Sequence, residues 1–233
     1  MKIVVSFHER NRMTSLYDQL SALREGANLK PEVSGPMHRH VEELRRKLYE
    51  VGAVGFGDRF PGFELLDHRG VTVRSEALLG RGPLAVVLFR GTWCTFCDFE
   101  LRFLNQIYGE IRSLGAELVA ISPQSSESAR NYLADHPVLF PVLVDPNARF
   151  ATILGLGYGF PDYLEELYRN VFKIDLAKIN EGGSWRLPIA GRFVVNQNGI
   201  VADAQYDPDY RYRPEPADIL STLGALRESV SFG

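Results

Sequence analysis

Cysteine is nearly missing from this chain. Two in 233 residues, both in one short motif, exclude a disulfide-stapled scaffold and leave a catalytic or metal-binding role as the better reading of the pair. Long apolar runs are missing as well. None approaches the roughly 18 residues of a membrane helix, and Ile3-Val4-Val5 is cut short by Ser6, His8, Glu9 and Arg10, so the chain reads as a soluble, cytoplasmic protein. A basic excess is the third absence. Twenty-six Lys and Arg against 29 Asp and Glu give a net charge of -3, which points away from nucleic acid and anionic membranes and toward small molecules or proteins as partners.

What is present suffices for one core: 45% of the residues are hydrophobic, consistent with one main domain of ordinary size. Residues 1–55 read as an N-terminal helical extension. Leu16, Leu20 and Leu23 recur at helical spacing, as do Val41, Leu44 and Leu48 after an expected break at Ser34-Gly35-Pro36. Met13 precedes a helix start at Thr14 and Ser15, so residues 1–12 read as an extension or a misplaced start. Gly52, Gly55 and Gly57 mark a linker or tight turn.

From residue 56 to 233 the pattern becomes short apolar segments alternating with amphipathic ones. Residues 63–66 and 71–73 flank Asp67-His68-Arg69-Gly70 as a hairpin. Runs 84–89, 116–121 and 138–144 read as buried strands. Leu101, Leu104, Ile107, Tyr108, Ile111 and Leu114 place one apolar stripe on a helix over 94–113, and further helices are expected over 125–136, 148–154 and 217–230. A last hairpin joins 193–195 to 200–204 through Asn196-Gln197-Asn198-Gly199. Strands alternating with helices imply an α/β layered fold with parallel pairing. One insertion, at about 156–186, breaks the rhythm, and is read as a lid, pocket wall or subunit contact against the plainer alternative of padding.

The chemistry concentrates in Phe89-Arg90-Gly91-Thr92-Trp93-Cys94-Thr95-Phe96-Cys97, where a buried strand ends and a helix begins. Reactive sites of such sheets gather at the carboxyl ends of strands, and the first helical turn supplies free N–H groups and a positive dipole end. Both favour a thiolate, the form that attacks disulfides and peroxides. Residues three apart on a helix hold Cβ atoms about 5–6 Å apart, whereas a disulfide wants roughly 3.5–4.5 Å. Closure therefore requires Cys94 at the cap, which predicts an exposed Cys94 and a sheltered Cys97. Two structural core cysteines are the bland alternative. A zinc site is disfavoured because no second Cys-x-x-Cys is present, and His38-x-His40 reads as a solvated helix start.

With Trp93-Cys94-x-x-Cys97, the segment resembles the active-site turn of the thioredoxin superfamily. Leu118-Val119-Ala120-Ile121-Ser122-Pro123, Phe140-Pro141-Val142-Leu143-Val144-Asp145-Pro146 and Phe193-Val194-Val195-Asn196-x-x-Gly199 extend the likeness to peroxiredoxin-like proteins of the AhpC/TSA group, over about residues 60–204. The resemblance implies a thioredoxin-like central mixed sheet flanked by helices. It also implies an antioxidant peroxidase that reduces hydrogen peroxide or organic hydroperoxides without cofactor or metal, through Cys97 and Cys94, and is recycled by an external thiol such as a thioredoxin-type protein. Laid without gaps on the peroxiredoxin pattern, Cys97 takes the peroxidatic place, Glu100 matches the following Glu, Cys94 stands for the usual Thr and Arg90 for the usual Pro. Arg90, Arg186 and Arg192 all remain candidates to assist the thiolate. The cis-proline position of the superfamily falls at Ala190, beside Pro188.

Two other readings stay open. The Cys-x-x-Cys itself suits a thiol-disulfide oxidoreductase acting on protein disulfides, with Cys94 attacking and Cys97 resolving. A binding or assembly module built on the arm and insertion, with the arm as a homodimer contact, is the alternative of another class. The run 206–216, dense in Tyr, Asp, Arg and Pro, reads as a fixed loop leading into the last helix.

Overall fold

The computed structural model describes residues 15–231. The apolar triplet at 3–5 and the alternative start at Met13 lie outside them. Ser15 lies inside: its Oγ accepts from the Asp18 N–H while the Asp18 carboxylate accepts from the Ser15 N–H, a reciprocal cap that opens α1 (Leu16–Gly26). Pro31 then starts α2 (Pro31–Val51). The break expected at Ser34-Gly35-Pro36 is absent. Pro36 removes a single hydrogen bond, to the carbonyl of Glu32, and Glu32 is exposed, where losing an internal partner costs little, and the helix continues.

The core strands form one mixed sheet. β1 (Glu64–Asp67) and β2 (Thr72–Arg74) make the expected hairpin, α3 (Ser75–Leu79) follows, and β3 (Leu84–Leu88) is buried at every residue. Then come α4 (Thr95–Ser113), β4 (Glu117–Ser122), α5 (Ser126–Asp135) and β5 (Val142–Val144). β5 is shorter than the apolar run 138–144 suggests. Pro137 and Pro141 have no N–H for a ladder, and Leu139, on the same run, is exposed, its N–H donated to Asn105 instead of a strand.

After α6 (Arg149–Ile153), the insertion forms a small sheet of its own. β6 (Gly157–Gly159) pairs antiparallel with β7 (Arg186–Pro188), and between them lie α7 (Asp162–Leu167), a wide turn at Tyr168–Phe172 and α8 (Leu176–Ile179). The last hairpin, β8 (Gly191–Val195) and β9 (Val201–Tyr206), turns at Asn196, whose Oδ1 accepts from the N–H groups of Asn198 and Ile200. α9 (Ala217–Ser231) ends the described chain.

The main sheet runs β2-β1-β5-β4-β3-β8-β9. β3, β4 and β5 are parallel, while β8 lies antiparallel to β3. Two apolar layers sandwich it. Leu84, Val86 and Leu88 face α6 and the insertion, and Ala85, Val87 and Phe89 face α4 and α9. The arm belongs to this body: Leu16 and Leu20 are fully buried, Tyr17 N–H donates to Glu215, and Glu43 of α2 accepts from Tyr163 of the insertion. Among the described residues, no helix is long and apolar enough to cross a membrane.

Candidate active site

Strand β3 is flanked by β4 and β8, with Leu88 opposite both Ile121 and Gly191, so its carboxyl end delivers Phe89 and Arg90 at the middle of the sheet edge. The loop that follows is latched. Thr92 N–H donates to Gln124 Oε1 at 2.7 Å and Gln124 Nε2 to Thr92 Oγ1 at 2.8 Å. Gly91 has φ 143°, and a Cβ there would lie 2.3 Å from Trp93 Nε1, so both conformation and space require glycine.

Cys94 is the N-cap of α4, with extended backbone (φ -92°, ψ 112°), the placement that disulfide closure requires. Its carbonyl accepts from the N–H groups of Cys97 and Asp98. Both thiols are free. The expected exposure of Cys94 needs correction: the residue is 5% exposed and Cys97 is fully buried. α1, α2 and the insertion cover the Cys94 sulfur, which is reached through a cavity of about 430 Å³.

Electrostatics separates the two sulfurs. Cys94 is held down to about 5, first because the Cys97 thiol donates to its sulfur and then by the charges of Arg90 and Arg213, all against burial. Cys97 is pushed up, by burial first and then by its bond to Cys94. One sulfur is therefore the anion and its neighbour the proton donor.

Each sulfur has its own guanidinium. Arg90 Nη1 lies 3.7 Å from Cys94 Sγ and its Nη2 donates to the Tyr168 hydroxyl at 2.6 Å. Its plane is packed against the rings of Tyr210, at 4.0 Å, and Trp93, at 4.9 Å. Arg213 Nη2 lies 3.4 Å from Cys97 Sγ, and its Nε donates to Glu100 Oε2 at 2.7 Å. Burial raises the Glu100 carboxyl to about 7, a rise that Arg213 opposes and Cys97 assists.

Of the three arginines left open by the sequence, the structure brings Arg90 to the site. Arg192 donates to the Glu215 carbonyl and pairs with Asp218, and Arg186 donates to the Asn147 carbonyl and Thr152 Oγ1. Sequence reasoning missed Arg213, Tyr210 and Tyr168. The first two come from the aromatic, charged run 206–216 and the third from the insertion, which here walls the pocket with Tyr168, Phe172 and Ile174. His38 lines the same cavity, while His40 is buried between Tyr158 and Phe160 and held down to about 4 by that burial.

Residues 56–204 match the model of the AhpC/TSA family. Over 102 residues the chain is 28% identical to the thiol-disulfide oxidoreductase ResA of Bacillus thuringiensis (strain Al Hakam), covering 43% of this chain and 58% of that protein. Against ResA of Bacillus subtilis (strain 168) it is 32% identical over 94 residues, 40% of this chain and 51% of that one. The chain thus matches little more than half the length of these relatives. Among solved structures, the peroxidoxin BcpB of Mycobacterium tuberculosis superposes with a TM-score of 0.58 at 20% identity, over 74% of this chain and 97% of that one. A putative thiol:disulfide interchange protein DsbE of Chlorobium tepidum does so with 0.51 at 20% identity, over 75% and 99%. At these identities the likeness shows the fold, that of the peroxiredoxin and thioredoxin group.

Proposed function

The chain belongs to the AhpC/TSA family, and from that premise we propose that it is a thiol peroxidase for organic hydroperoxides in which Cys94 attacks and Cys97 resolves. The observation that carries this reading is the position of the low-pKa Cys94 sulfur beside Arg90 and beneath a 430 Å³ cavity. Hydrogen peroxide is hardly larger than water, whose share of liquid volume is about 30 Å³. A cavity with Leu29, Met37, Val41, Phe96 and Phe172 in its walls suits a bulkier, apolar peroxide.

The gapless sequence fit makes Cys97 the peroxide nucleophile; this proposal reverses that assignment. Cys97 has no exposed surface and carries the proton, whereas nucleophilic attack requires an accessible thiolate. The Cys94 thiolate attacks the terminal peroxide oxygen, the S–O bond forms as the O–O bond breaks, and the alkoxide leaves, taking up from solvent the proton that Cys94 released on ionising, to become the alcohol. Arg90 stabilises the charge that moves onto oxygen. Cys97 then attacks Cys94 sulfur. Its proton passes by way of the Glu100 carboxylate, which shares Arg213 with it, to the departing hydroxide, which leaves as water and closes the disulfide. The sum is hydroperoxide plus two thiols giving alcohol, water and disulfide, and an external dithiol in the cytoplasm restores the pair.

Disulfide exchange is the second reading, favoured by the likeness to ResA and by the Cys-x-x-Cys spacing. Dimedone trapping with cumene hydroperoxide separates these roles. Cys97→Ser should accumulate a sulfenic acid on Cys94, and Cys94→Ser should give none. Sulfenic acid on Cys97 in the latter variant would reassign the nucleophile, and faster turnover of insulin disulfides than of cumene hydroperoxide by the wild type would favour exchange.

A further inference from the structure

Two buried arginines have carboxylates: Arg213, beside Cys97, pairs with Glu100 at 2.7 Å, and Arg192, away from the sulfurs, with Asp218 at 3.4 Å. Arg90 is different. It is 2% exposed, and among the described residues its close contacts are a sulfur, the hydroxyls of Tyr168 and Tyr158, and aromatic rings. Among the described residues no carboxylate pairs with it and its Nε has no partner although buried. The phenols of Tyr158, Tyr168 and Tyr210 are all pushed up by burial and stay neutral. The neighbouring His40 is neutral at pH 7 as well. Among the described residues, the negative charge facing Arg90 is therefore the Cys94 thiolate.

That pairing lasts only as long as the dithiol. When Cys94 closes on Cys97, one thiolate and one thiol become a neutral disulfide, with two electrons and one proton given up to the oxidant. A guanidinium cannot release its own proton to follow. A buried charge that has lost its partner is costly, and Arg90 lines the cavity that Cys94 also lines. We propose that this cavity is a redox-gated anion site: the Cys94 thiolate occupies Arg90 in the dithiol form, and an apolar carboxylate takes its place on Arg90 in the disulfide form. Leu29, Met37, Val41, Phe172 and Ile174 select an aliphatic body behind the charged end, and a single uncompensated guanidinium selects a single negative charge. In the dithiol form a carboxylate would meet the thiolate at low dielectric and is excluded. By linkage, such a ligand makes the disulfide harder to reduce.

The inference rests on Cys94 carrying the thiolate and closing on Cys97, and is independent of which oxidant closes it. Octanoate is titrated by calorimetry into the full chain, either oxidised with diamide or reduced with dithiothreitol. The oxidised form is expected to bind about tenfold tighter or better, which raises resistance to reduction by about 30 mV for each tenfold preference. Octanol should show no redox preference, Arg90→Gln should lose the octanoate preference, and Cys94→Ser, which keeps Arg90 but has no thiolate, should bind octanoate without an oxidant. Equal affinity in the two redox states, binding that survives Arg90→Gln, or chloride binding as well as octanoate would each overturn the site. Thiolate absorbance near 240 nm and the mass of the oxidised chain check the premise separately. If no thiolate titrates near pH 5, or no intramolecular disulfide forms, the premise fails and the inference with it, whatever octanoate does.

Discussion

Removing the Arg90 charge acts on Cys94 in a pH-dependent way. In Arg90→Gln, the sulfur keeps the bond from Cys97 but loses one of two nearby cations, so alkylation by iodoacetamide at pH 6 should slow by about tenfold or more while the rate at pH 10 stays unchanged. Equal slowing at both pH values would point to altered access instead. Glu100 gives a second pH signature. Its carboxyl is raised from 4.5 to about 7 in the folded protein, so the contribution it makes is full below about pH 4.5 and is lost as pH rises through 7. Relative to Glu100→Gln, the wild type should lose stability over that window, by on the order of 3 kcal/mol, in urea melts between pH 4.5 and 8. At this scale the sequence was partly legible. Cys94, Cys97, Glu100 and Arg90 stand close together in the chain, and the strand-to-helix junction announces them. Arg213 and Tyr168 lie 116 and 78 positions from their partners, a distance that local pattern does not span.

Element boundaries follow the same division. α4 and the strands β3, β4, β8 and β9 fall within a residue or two of their periodic patterns because each buries a continuous stripe or run. β5 and α2 depart from theirs, through the two prolines that curtail one and the single exposed carbonyl that lets the other pass Pro36. α2 matters to function because Met37 and Val41 on it line the cavity over Cys94. Met37→Trp should fill part of that space. The expected result is a KM for cumene hydroperoxide raised about tenfold with kcat/KM for hydrogen peroxide unchanged, a split that steady-state kinetics resolves. Parallel loss with both peroxides would mean that the substitution had disturbed the sulfur itself.

For the whole molecule, α1 and α2, which fall within the 1–55 extension expected from the sequence, pack against the rest of the chain. Leu16 and Leu20 have no exposed surface, and α1 packs on α4, the helix that carries both cysteines. Leu20→Ala should therefore lower the stability of the whole chain by about 2–5 kcal/mol, as for a core position. Denaturant melts followed through both tryptophans, Trp93 and Trp185, test this, since an arm that unfolded alone would leave the main transition in place. The arm, the insertion and the run 206–216 are all legible as helical or aromatic segments. Their convergence over one sulfur is not, because it depends on three contacts between remote parts of the chain.

The cap position of Cys94 has a kinetic consequence. Because Cys97 lies three residues along, in the first turn of a helix that is already formed, the resolving sulfur has no long distance to travel and no helix to unwind before it meets a sulfenic acid on Cys94. A second peroxide must compete with that short step through a covered entrance. Under the proposed peroxidase reading, over-oxidation to sulfinic acid, an irreversible loss for most thiol enzymes, is thereby made a slow side reaction by the spacing of two residues.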